Sequence, residues 1–297
     1  MFSSPDLAFS LPTGCPLEIV DDRDIHARIS LRAGDTATFV FEQVSSGETP
    51  LPHSDTEITA EFETTVAFWR GWLRRSRYSG RWREMVNRSA LTLKLLTYAP
   101  TGAIVAAPTT SRPERIGGAR NWDYRYTWMR DAAFTLYALL RLGFTEEAGA
   151  FLNWLMGRFR NGADHESGPL QVMYGIDGRE DLPEQELSHL EGYMGSAPVR
   201  VGNGAANQLQ LDIYGELMDS VYLCNKYGLP LYHDGWVELT RNLEWLMDHW
   251  DQPDEGIWET RAGRQDYTYS RLMSWVAVER AIRVAHQRCG PPPASVG

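Results

Sequence analysis

Polarity changes its period along this chain, and the change divides it. In the first fifty residues polar and apolar positions alternate. "HARISL" (26–31) alternates, "RAGD" (32–35) supplies turn residues, and "TATFVFEQV" (36–44) continues in extended style. A hairpin is predicted there, and one hairpin cannot bury a core by itself. "SSGETPLPHSD" (45–55) is rich in Ser, Gly and Pro and reads as a linker. Beyond it the period becomes helical. Phe68, Trp69 and Trp72 mark one amphipathic stretch, and a second runs from Trp82 to Leu96. Ala133, Leu136, Tyr137 and Leu140 share one face of a helix predicted over Met129 to Leu142. The same spacing recurs at Ala148, Phe151, Leu152, Leu155, Met156 and Phe159, at Leu239, Leu243, Leu246, Met247 and Trp250, and at Leu272, Trp275 and Val276. A further helix is predicted from Gln208 to Tyr227. The junction at Gly143 is tight, whereas 161–207 is long and rich in Gly, Pro and acidic residues. Helical hairpins with one long loop suggest an α/α toroid or bundle with a site at one end.

Charge narrows the choice of ligand. The 297 residues carry a formal charge of -10, which argues against nucleic-acid and anionic-membrane partners, since both reward basic patches. The N-terminus has no basic region followed by an apolar core, and no apolar run is long enough to span a bilayer. Cys15, Cys224 and Cys289 form neither a disulfide framework nor a zinc pattern, and the seven histidines show no ligand spacing. Reduced cysteines in a cytoplasmic protein, with no metal and no cofactor, are expected.

Three segments carry the candidate chemistry. Residues 121–130 hold four aromatic and three charged side chains in ten positions, directly before a helix. Trp and Tyr faces stack on sugar C–H faces, while Arg130 and Asp131 can bond hydroxyls directionally. For an isolated Trp core packing is the leading reading, which the clustering here weakens, and Asp131 also suits the first turn of a helix. In "HLEGYMGSAPVRVGNGAANQLQLDIYGELMDS" (189–220), a glycine-rich loop bears Arg200, Asn203 and Asn207. Gln208, Asp212 and Glu216 then fall on one helix face, either solvated or lining a site. The glycines match no phosphate loop. In the third segment Asp254, Glu255 and Glu259 cluster, with Trp258 beside Glu259. An indole against that carboxyl would raise its pKa toward that of a general acid. An ion pair with Arg261 or Arg264 is the competing reading.

Together "NWDYRYTWMRDAAFTLYALL", "GYMGSAPVRVGNGAANQLQLDIYGEL", "PDEGIWETR" and "YTYSRLMSWVAVERA" resemble the signature segments of bacterial glycoside hydrolase family 15, which includes glucoamylase-type enzymes and a trehalase branch. The likeness runs from about Phe68 to Ala285, in matching order and spacing, with Thr127 standing where many members have Cys. It implies a mainly α fold, a six-hairpin (α/α)6 toroid preceded by a β-sandwich. Residues 1–50 would be the end of the sandwich, 51–80 a linker with a helix, and 81–297 the N-terminal half of the toroid. The implied reaction is hydrolysis of an α-glucosidic bond with inversion, by an acid and a base about 6.5–9.5 Å apart. Glu259 takes the general-acid position. Arg130 and Asp131 match residues that hold the non-reducing glucose, Trp128 and Trp258 line that subsite, and Arg200, Asn203 and Gln208 are second-rank pocket residues.

The resemblance also implies a general base from a later segment. Nothing after Glu279 supplies a carboxylate, and about six helices are predicted where the toroid has twelve. The chain thus reads as an internal fragment or a truncated gene product, whose exposed apolar stripes would favour self-association. The competing readings are a non-catalytic, sugar-binding toroid fragment, and another α/α-toroid protein with His or Tyr at its cleft. The motifs leave glucoamylase, glucodextranase and trehalase open.

Overall fold

The structure, a computed structural model, describes residues 2–3, 7–22, 24–45, 53–159, 170–229 and 231–289. It divides into two compact units, Met1–Trp72 and Leu73–Gly297.

Among its described residues the first unit holds five short strands and a helix. Strands β1 (Phe2–Ser3), β2 (Ala8–Ser10) and β5 (Glu42–Val44) form one antiparallel sheet, and β3 (Glu18–Val20) pairs with β4 (Asp24–His26). The predicted turn at "RAGD" is present, closed by Asp35 N–H to Arg32 O at 3.0 Å. The strands flanking it are not those expected. Residues 27–41 are irregular apart from a bridge between Thr13 and Phe39, and pairing resumes at Glu42 with β2. Alternation marks a chain able to pair, but only a neighbouring strand makes the ladder. Most of the predicted linker, 46–52, lies outside the described residues. Helix α1 (Asp55–Leu73) follows, opened by a capping box in which Glu57 N–H donates to Ser54 Oγ and Ser54 N–H to Glu57 Oε2.

The second unit is mainly helical. In chain order it contains α2 (Arg83–Leu95), β6 (Thr127–Trp128), α3 (Met129–Leu142), α4 (Thr145–Phe159), β7 (Met173–Tyr174), β8 (Gln185–Glu186), β9 (Arg200–Val201), α5 (Asp212–Lys226), α6 (His233–His249) and α7 (Thr268–Cys289). Helix α5 packs against α3 on one side and α7 on the other, while α4 packs on α6, and each is joined to the first row by hairpin contacts. Two rows of helices laid in this way are an arc of an α/α toroid. The core runs through both rows, with Leu136, Leu140, Phe151, Leu155, Tyr214, Leu217, Leu239 and Val284 all buried.

The α3–α4 hairpin shows how sequence sets this geometry. Gly143 ends α3 at φ 95°, a left-handed conformation suited to glycine, with Phe144 N–H donating to Leu139 O at 2.9 Å. One expected helix is shorter than its motif. Gln208 is extended, with ψ 148°, and α5 begins only at Asp212. Gln208 therefore shares no helix face with Asp212 and Glu216. The alternation Gln208–Leu209–Gln210–Leu211 has a period of two, the strand period, and that local signal prevailed.

Helix α5 is buried on nearly every side, and Gly215 lets α7 approach it. A Cβ at Gly215 would stand 2.3 Å from Met273 O, a backbone atom that cannot turn away. Gly215→Ala is expected to lower stability by about 1–3 kcal/mol through overpacking, despite the better helix propensity of Ala. Urea denaturation would measure it, and an unchanged or raised midpoint would contradict this close helix contact.

Candidate active site

The three chemistry-bearing segments converge in the second unit. Strand β6 pairs with β7, Trp128 opposite Met173, and Met129 N–H donates to Val172 O at 3.0 Å. This fixes the first turn of α3 and so the direction of Arg130 and Asp131. The loop before it is tied to the glycine loop. Buried Asp123 receives both Nε and Nη2 of Arg125 at 2.8 Å and Gly202 N–H at 3.2 Å, and Asn203 Nδ2 donates to Asp123 O at 3.2 Å. Asp123 and Arg125, part of the polar crowd before α3, thus serve as struts.

The third segment docks on the extended residues 208–211. Leu209 N–H donates to Glu255 Oε2 at 2.8 Å and Leu211 N–H to Asp254 Oδ2 at 2.9 Å, while Ser270 Oγ donates to the same Asp254 oxygen at 2.7 Å. Asp254 and Glu255 are spent on holding the loop. The third carboxylate, Glu259, projects elsewhere. Its Oε1 accepts Trp128 Nε1–H at 2.7 Å and Arg130 Nη2–H at 3.2 Å. Arg261 and Arg264, its alternative partners, are engaged by Glu184 and Glu255. Trp258 does not shield the carboxyl as expected: it is 82% exposed, and the indole that meets Glu259 is Trp128, through its N–H. Glu259 has φ 52°, a left-handed conformation costly to a residue with a Cβ.

A cavity of about 840 Å³ results, and Trp128, Arg130, Asp131, Asn203, Trp258 and Glu259 all line it, with Tyr124 and Trp122 adding aromatic wall. Arg200 and Gln208 are not among the lining residues. Arg200 stacks on Trp122 at 4.7 Å and donates to Ala119 O and Glu186 at 2.9 Å each. Gln208 accepts from Gln210 at 3.1 Å and reaches Thr260 O at 3.4 Å. Both support the wall from behind.

Arg130 is the electrostatic hub. Its Nη1 donates to Gln210 Oε1 at 3.2 Å and lies 3.6 Å from Asp212 Oδ2, and its Nη2 lies 3.8 Å from Asp131. Burial works against its charge, but Asp212, Asp131 and Glu259 outweigh that and raise its pKa. Burial raises Asp131, with Arg130 opposing, and pushes fully enclosed Asp212 up to about 6. One turn further along α5, burial pushes Glu216 up to about 7 against a 2.5 Å hydrogen bond from Tyr269 Oη. Gln210, Glu184 and Arg261 were not singled out as pocket residues from the sequence, and the period-two pattern was the one available signal for Gln210.

The profile described as "Glycosyl hydrolases family 15" matches residues 80–294. The chain belongs to that family. Similar proteins include the trehalase of Mycolicibacterium smegmatis, 44% identical over 269 residues covering 90% of this chain and 39% of that protein. The trehalase of Mycobacterium tuberculosis is 42% identical over 270 residues, 91% of this chain and 39% of its own length. This family 15 chain therefore spans about two-fifths of the length of the curated relatives it matches. A solved structure of a glycosidase shares the fold, with a TM-score of 0.52 at 20% identity over 72% of this chain and 53% of that one.

The raised carboxyls carry a pH dependence. The folded-state pKa of Glu216, about 7, lies above its ordinary 4.5. The native state therefore holds the proton longer than the unfolded chain does, and stability falls as pH rises from about 4.5 to about 7. Glu216→Gln keeps the shape and an acceptor for Tyr269. It is expected to leave the melting temperature near wild type at about pH 5 and to raise it by several degrees at about pH 8. Scanning calorimetry at the two pH values checks this, and a shift of equal size at both would sink it.

Proposed function

We propose that this family 15 chain carries the general acid and the first glucose subsite of an inverting α-glucoside hydrolase, with trehalose as its foremost substrate. The observation that carries the reading is the placement of Glu259. Its carboxylate is held at the buried end of an aromatic-walled cavity by Trp128 and Arg130, beside Asp131. The names of the relatives support the substrate, since they are trehalases over nearly the whole of this chain.

In this reading Arg130 and Asp131 bond the hydroxyls of the non-reducing glucose, Trp128 walls its ring at the closed end, Trp258 stands at the open mouth rather than against that ring, and Asn203 adds an amide. Oε1 of Glu259 is occupied by two donors, so Oε2 carries the proton delivered to the glycosidic oxygen. As that C–O bond breaks, a water attacks the anomeric carbon from the opposite face and gives its proton to a carboxylate base, releasing glucose of inverted configuration. We assign the base to a carboxylate outside residues 1–297. Glu114 and Asp131, the other carboxylates lining the cavity, lie 3.6 Å from Arg120 and 3.8 Å from Arg130. Unpaired Cys15 and Cys224 support a cytoplasmic location. Exposed Phe134, Tyr137, Leu272 and Trp275 on α3 and α7 support self-association. No helix among the described residues is long and apolar enough to cross a membrane.

Two measurements test the proposal. Residues 1–297 alone are expected to release no useful amount of glucose from trehalose or maltose, while a chain extended to the relatives' full length should do so and form β-glucose first, read by NMR. In the extended chain Glu259→Gln should lower kcat by about two to four orders of magnitude, with KM changed far less. Turnover by the short chain would place a base within these residues, and a small effect of Glu259→Gln would move the acid role to another carboxyl.

A further inference from the structure

The cavity is graded. Its inner end is closed: Trp128 and Asn203 are buried and Arg130 is nearly so. Its outer end is open, with Trp258 82% exposed and the side chains of Arg120, Glu114 and Arg261 77%, 51% and 52% exposed. A group that protonates a glycosidic oxygen must stand at the joint between two sugar rings. If one ring fills the closed end against Arg130 and Asp131, the leaving ring extends toward the open end. The hydrogen-bonding groups waiting there are the guanidinium groups of Arg120 and Arg261 and the carboxylate of Glu114.

These groups are not equally prepared. The exposed side chains of Arg120 and Glu114 share an ion pair at 3.6 Å and form no other ion pair among the described residues. Such a pair must be immobilised by the ligand, which offsets most of what it contributes. Arg261 is already fixed. Its Nη1 and Nη2 donate to the two oxygens of Glu184 at 3.2 and 2.7 Å, and its guanidinium stacks on Trp122 at 4.1 Å. Glu184 is itself anchored by Gly204 N–H at 3.1 Å, next to the Asn203 that lines the cavity, and by Arg200 at 3.6 Å. Arg261 also follows Glu259 by two residues in one loop, so it moves with the acid. Of its five N–H groups two are used by Glu184, which leaves three for hydroxyl oxygens.

We propose that Arg261, held by Glu184 and Trp122, recognises the second, leaving sugar ring of an α-linked glucose disaccharide. This inference rests on the hydrolase reading of the same cavity. Trp122 has a supporting part, since its ring is occupied by the Arg261 and Arg200 guanidinium groups. Glu184 is a positioning residue that acts through Arg261. The specificity that results is for a hydroxyl-rich leaving group rather than an alkyl or aryl one.

Binding to residues 1–297 tests this without requiring turnover. Glucose, trehalose and maltose are titrated by calorimetry into the wild-type chain and into Arg261→Ala, Arg261→Lys, Glu184→Gln and Arg120→Ala, each first shown by its circular-dichroism melt to be folded. Wild type is expected to bind at least one of the disaccharides about tenfold or more tighter than glucose. Arg261→Ala should remove that margin and leave glucose affinity within about twofold. Lysine, which keeps the charge but not the fork, should recover only part of it. Glu184→Gln should weaken disaccharide alone, and Arg120→Ala should change neither. Parallel loss of glucose and disaccharide in Arg261→Ala would show a general loop-holding role and overturn the proposal. So would disaccharides that bind no better than glucose in wild type, or a disaccharide loss on Arg120→Ala with none on Arg261→Ala. A folded wild type that binds none of the three sugars would overturn the hydrolase reading itself, a result separate from any that concerns Arg261 alone.

Discussion

Arg130 places one guanidinium within 4 Å of three carboxylates, those of Asp212, Glu259 and Asp131, while also donating to Gln210. Each contact comes from a different part of the chain: the start of α5, the loop before α7, its own helix α3, and the extended segment ahead of α5. Fully buried Asp212 depends on it most, because an unpaired buried carboxylate is costly and the guanidinium opposes the upward push of burial on its pKa. The attraction is mutual, since Asp212, Asp131 and Glu259 more than offset the effect of burial on Arg130 and raise its pKa. The position of Glu259 in the cavity follows from this mutual requirement, together with the Trp128 N–H that shares its Oε1.

Around that hub the fold separates groups that hold from groups that face the cavity. Asp123, Asp254 and Glu255 accept backbone N–H groups and form struts, as Asp254 does for Leu211 while also accepting the Ser270 hydroxyl. Glu259 accepts no such bond among the described residues and adopts φ 52°, a strained conformation costing about 1–3 kcal/mol. A residue that only had to turn the chain would be glycine, as neighbouring Gly256 is at φ 65°. The carboxylate is kept there at the expense of backbone comfort, and the docking of its loop on residues 208–211 over-determines that conformation.

Much of the helical architecture could be read from period alone. The helices predicted at 129–142, near 148–159 and near 239–250 correspond to α3, α4 and α6, because burying one apolar stripe needs only local sequence. The β segments were less legible. The alternation in 26–31 marked a chain able to pair, yet the pairing was decided by which strands met: 24–26 joined the adjacent 18–20, and 42–44 joined the distant 8–10. Gln208 was misread for a related reason: a helix pattern downstream was extended backward over four residues whose own period was two.

For the candidate site, the sequence by itself determined which residue types are present and, through the three motif segments, the family and the carboxyl to single out among its neighbours. It could not say which Trp meets Glu259, since Trp258 is adjacent in sequence and Trp128 lies 131 positions away. It could not separate Arg261 from Arg264 as partners, nor show that Glu184 would clamp the first across 77 residues. Those choices belong to the tertiary structure, because ion pairing and hydrogen bonding depend on distances of a few ångströms that sequence spacing fixes only within one helix or strand. Here the helix rows and the docking of the Asp254–Thr260 loop bring the distant partners within that range.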